Sequence, residues 1–424
     1  MRRAALEFRL MELPPTAGLP LQLSDFSSAL FSKYSAEKSF EKALAEILQA
    51  DALDIYSSGT LCLRIAFETI KELSGRTKVI IPAYTCPLVP IAAHAAKMEV
   101  LLCDTKAGGF DFDLSNLEKL CDKSIAAIVP TNIAGLPADL KKPKELARAF
   151  GAYLIEDAAQ SLGARRFDFE HADITVYSLA AGKGLSLYDG GILHCRDAEL
   201  RVKSRLIGAR FTRADAFLSL RRSLEIFGLW LFYNPQGLKF VYGNSLRSHL
   251  KQGDLLKAVG EDFELDIPAY EFGEFRKRIG LSALRRFPEF LSKNRLRALF
   301  RKKVLEEQFA LDVLSEEEGT EGSWPFLMLL CKTQSDRDKI MDCLWGSGLG
   351  ITRLFIQELP AYEYLRAIVP QVSMPNARDF AQRSFSITNS AFLREDMFRQ
   401  ILSSLIDLGL GRSDNQKMTT ASES

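Results

Sequence analysis

The turn at residues 57–60 (Ser-Ser-Gly-Thr) is the first of three stretches whose residue types could do chemistry. It lies directly before the apolar stretch Leu61–Leu73, which predicts a helix. Hydroxyl residues and a glycine at a helix start leave backbone N–H groups free at the positive end of the helix dipole, where phosphate binds well. The turn is therefore a candidate phosphate site, although the same residues also form ordinary helix N-caps.

Asp157 is the second candidate, because it ends the apolar run Tyr-Leu-Ile-Glu-Asp that starts at residue 153 and predicts a strand. An acidic residue at the carboxyl end of such a strand lies where ligands bind. Its carboxylate could keep a pyridine nitrogen protonated through a charge-assisted hydrogen bond. An acid that only caps the following helix is the alternative.

Lys183 is the third candidate and lies in a loop of small residues after the strand-like run Ile174–Ser178. Small neighbours would let an aldehyde approach, and loss of water would lower the lysine pKa toward that of a nucleophilic amine. A lone lysine is more often a surface residue. The three stretches point to one site only when their order and placement are taken together.

Alternating strand and helix patterns between residues 55 and 200 must position these stretches. Short apolar runs separated by helix-like segments predict an α/β fold with a parallel or mixed sheet covered by helices. Ligands of such sheets bind beyond the carboxyl ends of the strands. The predicted strands are Val79–Ile81, Val100–Cys103, Ala126–Pro130, Tyr153–Glu156, Ile174–Ser178 and Ile192–Cys195, and the predicted helices are Leu61–Leu73, Pro87–Lys97, Leu114–Cys121 and Lys142–Phe150.

Residues 205–265 interrupt this alternation. Several arginines precede the uncharged run Ile226–Leu238, whose length falls short of the roughly 20 residues needed to span a bilayer. The segment predicts a packed helical insertion or a subunit contact. A basic and aromatic helix lying weakly on a membrane surface through residues 220–240 is the alternative, since periodicity does not separate the two.

Residues 266–410 predict a smaller α+β domain, with a long helix over Phe275–Val304, strands near Phe326–Cys331 and Ile351–Phe355, and a closing helix over Glu395–Leu408. The chain is therefore divided into a large domain with an N-terminal lead-in (1–204), the insertion (205–265), the small domain (266–410) and a polar tail (411–424). The composition of the tail predicts disorder.

Composition argues against several classes of protein. The 55 Lys and Arg residues nearly balance the 54 Asp and Glu residues, which gives no global field for binding nucleic acid. Seven scattered cysteines and four histidines offer little for a metal site, so none is expected. The first residues lack an apolar stretch long enough for a signal peptide, and a reducing cytoplasm fits best.

The motifs taken in order resemble those of the DegT-type nucleotide-sugar aminotransferases, which are pyridoxal-phosphate enzymes of the aspartate-aminotransferase fold (fold type I). The resemblance covers residues 55–200 closely and 270–410 loosely, and implies a large domain with a mixed, mostly parallel sheet and a smaller C-terminal domain. The matching segments are Ser58–Thr60, Val79–Thr85, Pro130–Asp139, Glu156–Gln160, Ser178 with Lys183, and Asp189–Gly191.

The resemblance implies a role for each matching residue. Lys183 would carry pyridoxal 5'-phosphate covalently and move protons, and Asp157 would pair with the pyridine nitrogen. The phosphate would be held at Ser58, Gly59, Thr60 and Ser178, with Gln160 close to the hydroxyl side of the ring.

Two positions depart from the family pattern. The family places an aromatic residue directly after Thr85 to stack on the cofactor ring, whereas this chain has Cys86 there and Tyr84 two residues earlier. Either Tyr84 stacks on the ring or a sulfur contact covers it. The family also has an Asn-x-Arg segment that reaches the phosphate of the neighbouring subunit, and residues 267–272 (IPAYEF) contain neither residue.

The function implied by the resemblance is transfer of an amino group from glutamate or a similar donor to a nucleotide-linked keto-sugar, in amino-sugar or polysaccharide biosynthesis, by a homodimer. A lysine at position 183 favours transamination over the family's dehydratase branch, which has histidine there. Two alternatives stay open: the same cofactor with a non-sugar acceptor, and a non-catalytic regulatory or scaffold protein of the same fold.

Overall fold

A computed structural model describes residues 11–31, 39–167 and 171–412 of the chain. The first ten residues, and all of the predicted tail beyond Arg412, lie outside these ranges.

The large domain is built on a seven-stranded mixed sheet with the strand order β1-β8-β7-β5-β4-β2-β3. Strands β3, β2, β4, β5 and β7 are parallel to one another, and β8 runs antiparallel to both β7 and β1. This confirms the predicted α/β class and all six predicted strands. Edge strand β1 was not predicted, because three residues are too few to show an alternating pattern. The strands are β1 (Asp54–Tyr56), β2 (Lys78–Pro82), β3 (Glu99–Cys103), β4 (Ile125–Ile128), β5 (Tyr153–Asp157), β6 (Arg165–Arg166), β7 (Ile174–Ser178) and β8 (Gly191–Cys195).

Helices cover the sheet where the apolar periodicity predicts them. Helix α3 begins at Ser58, whose side chain accepts the backbone N–H of Leu61, and it ends at Gly75 in the left-handed conformation (φ 68°). Its apolar residues form much of the main core together with β2, β4 and β7. The helices that precede the last strand of this sheet are α1 (Leu23–Phe31), α2 (Phe40–Leu48), α3 (Gly59–Ser74), α4 (Leu88–Ala95), α5 (Leu114–Leu120) and α6 (Lys141–Phe150).

Residues 198–259 are mostly helical, and the longest of these helices, α8, is loosely packed. Only Ile226 of α8 is buried, and the helix stops before Pro235. No helix in the described ranges is both long and apolar enough to span a bilayer. The helices are α7 (Ala198–Phe211), α8 (Ala216–Phe232), α9 (Pro235–Leu238), α10 (Asn244–Gln252) and α11 (Leu255–Val259), with a π-helical turn at Lys239–Gly243 between α9 and α10.

The small C-terminal domain packs helices on a four-stranded antiparallel sheet of order β12-β13-β11-β9. The single long helix predicted over Phe275–Val304 is wrong, because the chain forms two helices that break at Arg285–Arg286. Pro288 lacks an N–H and is accommodated only in the first turn of the second helix. The elements are α12 (Glu274–Leu284), α13 (Phe287–Gln308), β9 (Asp312–Val313), β10 (Thr320–Glu321), β11 (Phe326–Leu330), α14 (Gln334–Leu344), β12 (Ile351–Thr352), α15 (Pro375–Arg383), β13 (Ser384–Thr388) and α16 (Glu395–Asp407).

An extended segment at residues 12–19 ties these parts together. The N–H of Leu13 donates to Gly348 in the small domain, and the N–H of Ala17 donates to Pro325 just before β11. The N–H of Leu19 donates to Gly184, which directly follows Lys183. The segment predicted only as a lead-in therefore connects the small domain to the loop that carries the lysine.

Asn389 is expected to be essential for the stability of the small domain. Its Nδ2 donates to the carbonyls of Asn294 and Trp324, each at 2.9 Å, and its Oδ1 accepts from Arg301 at 3.0 Å. Asn389→Ala would remove all three of these buried hydrogen bonds and should lower the free energy of unfolding by about 2–4 kcal/mol, measured by chemical denaturation. Ser403→Ala, on the exposed side of α16, is the control and should change it by less than about 0.5 kcal/mol.

Candidate active site

The last two residues of β5 point their side chains to opposite faces of the sheet, as strand geometry requires. Glu156 is held by the amide of Asn132 at 2.9 Å and by Arg166 at 3.0 Å, so it forms a buried structural ion pair. Asp157 is 3% exposed, and its Oδ1 accepts the N–H of Ala159 at 3.1 Å. Asp157 is therefore the acid that is free to face a ligand at the end of the strand.

Burial raises the pKa of Asp157 to about 6, against the opposing effects of the Ala159 N–H and of the positive charge on Lys183. An acid in such surroundings gains from a cationic partner, since a positive charge would compensate for the water that the carboxylate has lost. A protonated ring nitrogen is a partner of this kind.

Lys183 lies in the loop between β7 and β8. Its N–H donates to Ala180, its carbonyl accepts the hydroxyl of Ser186 at 2.8 Å, and Gly182 before it has φ 81°. Thr16 of the extended segment donates to the carbonyl of Gly182. The loop is thus held from both sides, and burial lowers the pKa of the Lys183 amine. A larger share of neutral amine makes this lysine a better nucleophile than a surface lysine.

The side chains of Lys183, Asp157 and Cys86 lie within electrostatic range of one another. The negative charge of Asp157 acts to raise the lysine pKa, as would that of an ionised Cys86, and the charged lysine acts to lower the pKa of both. Burial raises the pKa of Cys86 to about 12, so the thiol is protonated at neutral pH. The structure therefore brings the predicted amine and the predicted acid to one place, with a neutral sulfur beside them.

The turn at the start of α3 borders the same loop. A Cβ added at Gly59 would lie 3.5 Å from the Cβ of Ser178, and Ser58 pairs with Gly190 in an isolated parallel bridge. The N–H groups of Gly59 and Thr60 belong to the first turn of α3, which has no intrahelical partners for them. The hydroxyls of Ser58 and Ser178 cap neighbouring amides at 3.0 and 3.3 Å. An anion would meet backbone donors and hydroxyls together here.

These residues fit a phosphorylated pyridine aldehyde. The amine has a lowered pKa, the acid is buried, and the anion turn lies next to the lysine loop. Metal ligation has no comparable support, because the described ranges contain no cluster of three His, Cys, Asp or Glu side chains suited to an ion.

Tyr84 is placed differently from Cys86. Its ring is fully buried and makes edge contacts with Phe355 at 5.4 Å and Phe380 at 4.9 Å between centroids. Its hydroxyl lies 3.4 Å from the backbone N–H and carbonyl of Phe355. Tyr84 therefore packs the junction with the small domain, whereas Cys86 lies beside Lys183 and Asp157. Gln160 accepts the N–H of Ala134 at 3.0 Å and supports the 133–136 turn.

A cluster around Asp189 is a feature that the sequence did not reveal. Asp189 accepts from the hydroxyl of Tyr270 and pairs with Arg276, and the Nε of Arg222 lies 3.0 Å away. Arg222 comes from α8, so the insertion is anchored at the end of the lysine loop. In the sequence, Asp189 stands out only as part of an Asp-Gly-Gly motif. The partners of Asp189 lie 33 or more residues further along the chain, so no local pattern predicts the cluster.

Comparisons with known proteins identify a family whose profile covers most of the chain. A sequence profile of the DegT/DnrJ/EryC1/StrS aminotransferase family matches residues 24–218 and 269–406, which is more than half of the chain. The chain is 19% identical over 373 residues to dTDP-4-amino-4,6-dideoxy-D-glucose transaminase of Shigella dysenteriae, covering 87% of this chain and 89% of that one. It is 21% identical over 379 residues to UDP-4-amino-4,6-dideoxy-N-acetyl-beta-L-altrosamine transaminase of Helicobacter pylori, covering 87% and 88%.

Solved structures share the fold. Helicobacter pylori PseC, an aminotransferase involved in the biosynthesis of pseudoaminic acid, superimposes with a TM-score of 0.72 at 17% identity, over 94% of this chain and 99% of that one. The aminotransferase TlmJ of Streptoalloteichus hindustanus superimposes with a TM-score of 0.71 at 20% identity, over 94% and 98%. These neighbours support the predicted large and small domains as a fold.

Gly191→Ala should weaken binding at the anion turn. An added Cβ would lie 2.4 Å from the carbonyl carbon and oxygen of Ser58, so β8 and the turn would have to separate. We expect the affinity for pyridoxal 5'-phosphate, titrated by visible absorbance, to fall by about tenfold or more. Gly228→Ala is the control, because a Cβ there meets no atom within 4 Å. Unchanged affinity in Gly191→Ala would contradict the placement of the phosphate at this turn.

Proposed function

The chain belongs to the DegT/DnrJ/EryC1/StrS aminotransferase family and is a pyridoxal-phosphate-dependent transaminase, and we propose that it aminates a nucleotide-linked keto-sugar with glutamate or a similar amino donor. The observation that carries the proposal is the meeting of the Lys183 amine and the Asp157 carboxyl beyond the carboxyl ends of the strands, beside the Ser58–Thr60 turn. The full-length relatives that support the acceptor class are both transaminases of nucleotide-linked amino sugars.

Each residue of the site has a proposed task. The bound cofactor supplies an electron sink and an aldehyde that receives the amino group. Lys183 holds the cofactor and moves a proton at its Nζ, which the lowered pKa favours. Asp157 keeps the ring nitrogen protonated through its buried carboxyl.

The remaining contacts orient the cofactor. We assign the phosphate to the N–H groups of Gly59 and Thr60 and the hydroxyls of Ser58 and Ser178, and the hydroxyl side of the ring to Gln160. Cys86 is the better candidate to cover the ring face, because it lies next to Lys183. The Tyr84 ring packs instead against Phe355 and Phe380. Sulfur contacts to aromatic rings are favourable and tolerate small shifts of the ring.

We place this activity in the cytoplasm, in the synthesis of amino sugars for a polysaccharide or a related glycan. Activated sugars and amino acids are the substrates that this setting provides. The role of PseC in the biosynthesis of pseudoaminic acid supports an amino-sugar product of this kind.

A homodimer is proposed, and the exposed side of α8 is its proposed contact. Five apolar residues of α8 recur at intervals of three and four, which is the stripe of a helix that packs along a second helix. They are Phe217, Leu220, Leu224, Phe227 and Leu231, and they are 79%, 61%, 66%, 44% and 51% exposed. A weak membrane-surface contact through 220–240 is the alternative, but Arg221 and Arg222 are both paired with Glu225, which lessens their attraction to anionic lipid.

Lys183→Ala should abolish transamination while some cofactor still binds, because the anion turn and Asp157 remain. We expect turnover to fall by at least about a thousandfold. In the wild type, added glutamate should bleach the visible absorbance of the bound cofactor, and the variant should not respond. Lys303→Ala removes an exposed lysine as the control. Measurable steady-state turnover by Lys183→Ala, or a wild-type protein that stays colourless with added cofactor, would contradict the proposed chemistry.

Charge introduced into the α8 stripe should produce a monomer. We expect the double variant Leu220→Glu with Leu224→Glu to lose the dimer in light scattering, since two buried carboxylates in an apolar seam are strongly unfavourable. Ile406→Glu, at another exposed apolar position, should leave the mass unchanged. A wild-type monomer that sediments with anionic liposomes, and a double variant that does not, would replace the dimer seam with the membrane contact.

A further inference from the structure

Glu261 is a buried carboxyl that enters the active-site region from the end of the insertion. It follows α11 and Gly260, whose left-handed conformation (φ 74°) turns the chain inward. Its side chain is 4% exposed. The family profile does not match residues 219–268, so no shared motif assigns this residue a role.

One oxygen of Glu261 holds the segment that follows β12. Its Oε2 accepts the hydroxyl of Tyr362 at 2.6 Å and the N–H of Ile356 at 3.2 Å, and its backbone carbonyl accepts the hydroxyl of Tyr364 at 2.6 Å. The same segment docks on the large domain through the N–H of Leu359, which donates to Ala83 at 2.9 Å. Glu261 thus lies over the turn that leads to Cys86.

The other oxygen, Oε1, is buried and makes no hydrogen bond within the described part of the chain. A buried carboxylate oxygen without a donor is costly, so a group outside the chain is expected to supply one. The charge of Glu261 acts on Cys86, which in turn interacts with Lys183. A substrate bound at the site of reaction is a molecule that can supply the missing donor.

The two proposed substrates, glutamate and a sugar, differ in their hydrogen-bonding groups. Glutamate carries two carboxylates, which accept hydrogen bonds and repel another carboxylate, and its amine is required at the cofactor beside Lys183. A sugar presents several hydroxyls that can donate. Since a site built around a buried acceptor rejects ligands that cannot pair with it, Glu261 selects for a hydroxyl-bearing acceptor.

We propose that Oε1 of Glu261 accepts a hydrogen bond from a ring hydroxyl of the sugar acceptor, which makes Glu261 a specificity-determining residue. This inference rests on the proposed function, because it deepens the assignment of the acceptor. Burial raises the pKa of Glu261 to about 7, while Tyr362, the Ile356 N–H and the charge of Arg353 act to lower it. The other titratable groups that face it are Tyr84, Cys86 and Tyr364.

The test is calorimetric titration of the holoprotein with dTDP-glucose and UDP-glucose, which carry hydroxyls but no ketone that could react. At pH 8 we expect Glu261→Gln to bind the better of these two probes about tenfold or more weakly than the wild type does. Wild-type binding should weaken by about tenfold from pH 8 to pH 6, because protonation removes the negative charge that makes the carboxylate a strong acceptor. The affinity of the variant should stay constant over that range.

A second pair of variants separates this role from a merely structural one. Tyr362→Phe removes a hydrogen bond that lowers the pKa of Glu261, so the midpoint of the binding profile should move to higher pH. Tyr364→Phe removes only the bond to the backbone carbonyl and should keep the midpoint.

These measurements distinguish failure of the proposed function from failure of the proposed role of Glu261. Failure of glutamate to bleach the wild-type cofactor would contradict the proposed function. Given normal bleaching, equal affinities of the wild type and Glu261→Gln at pH 8 would overturn the role of Glu261. The same pH profile in both proteins, or no binding of either sugar nucleotide by the wild type, would overturn it as well.

Discussion

The site depends on one constraint: an amine and a carboxyl that both lose water must lie within reach of each other's charge. Burial acts against the charged form of each, lowering the pKa of Lys183 and raising that of Asp157. Neither position would be tolerated easily without the other or without a ligand between them. The parallel pairing of β5 with β7 satisfies this constraint, because the carboxyl ends of both strands then place the acid and the lysine loop side by side.

Residues 219–268, which the family profile does not match, contact the surroundings of Lys183 and Asp157 at more than one place. Arg222 fixes Asp189 at one end of the lysine loop, and Tyr233 accepts the N–H of Gly18 at 3.2 Å in the segment that bonds to Gly182 and Gly184. Glu261 closes the region near Cys86. A segment that interrupts the α/β pattern thus supports the reactive loop and borders the space where a substrate must lie. Variation in such a segment can change the acceptor while the scaffold stays the same.

Sequence reasoning predicted the large domain well, because its strands are apolar runs and its helices are periodic. The motifs around Ser58, Asp157 and Lys183 could be brought together for the same reason, since sheet topology places strand ends at one edge. The break at Arg285–Arg286 was missed, because charged residues continue through it and only Pro288 marks it. Glu261, Tyr270 and Arg276 could not be assigned, because their partners are distant in sequence and no local period records such contacts. The domain boundaries and the tasks of the individual site residues stay predictions.

The extended segment at residues 12–19 has a consequence for how the protein folds. Thr16 and Leu19 bond to Gly182 and Gly184, about 166 positions away, so the lysine loop is held by a segment that is remote in sequence. Contacts of high sequence separation form late, since their loop-closure entropy must be overcome first. The polypeptide up to residue 184 therefore has to leave the ribosome before these bonds can form, so a shorter nascent chain lacks the closed loop.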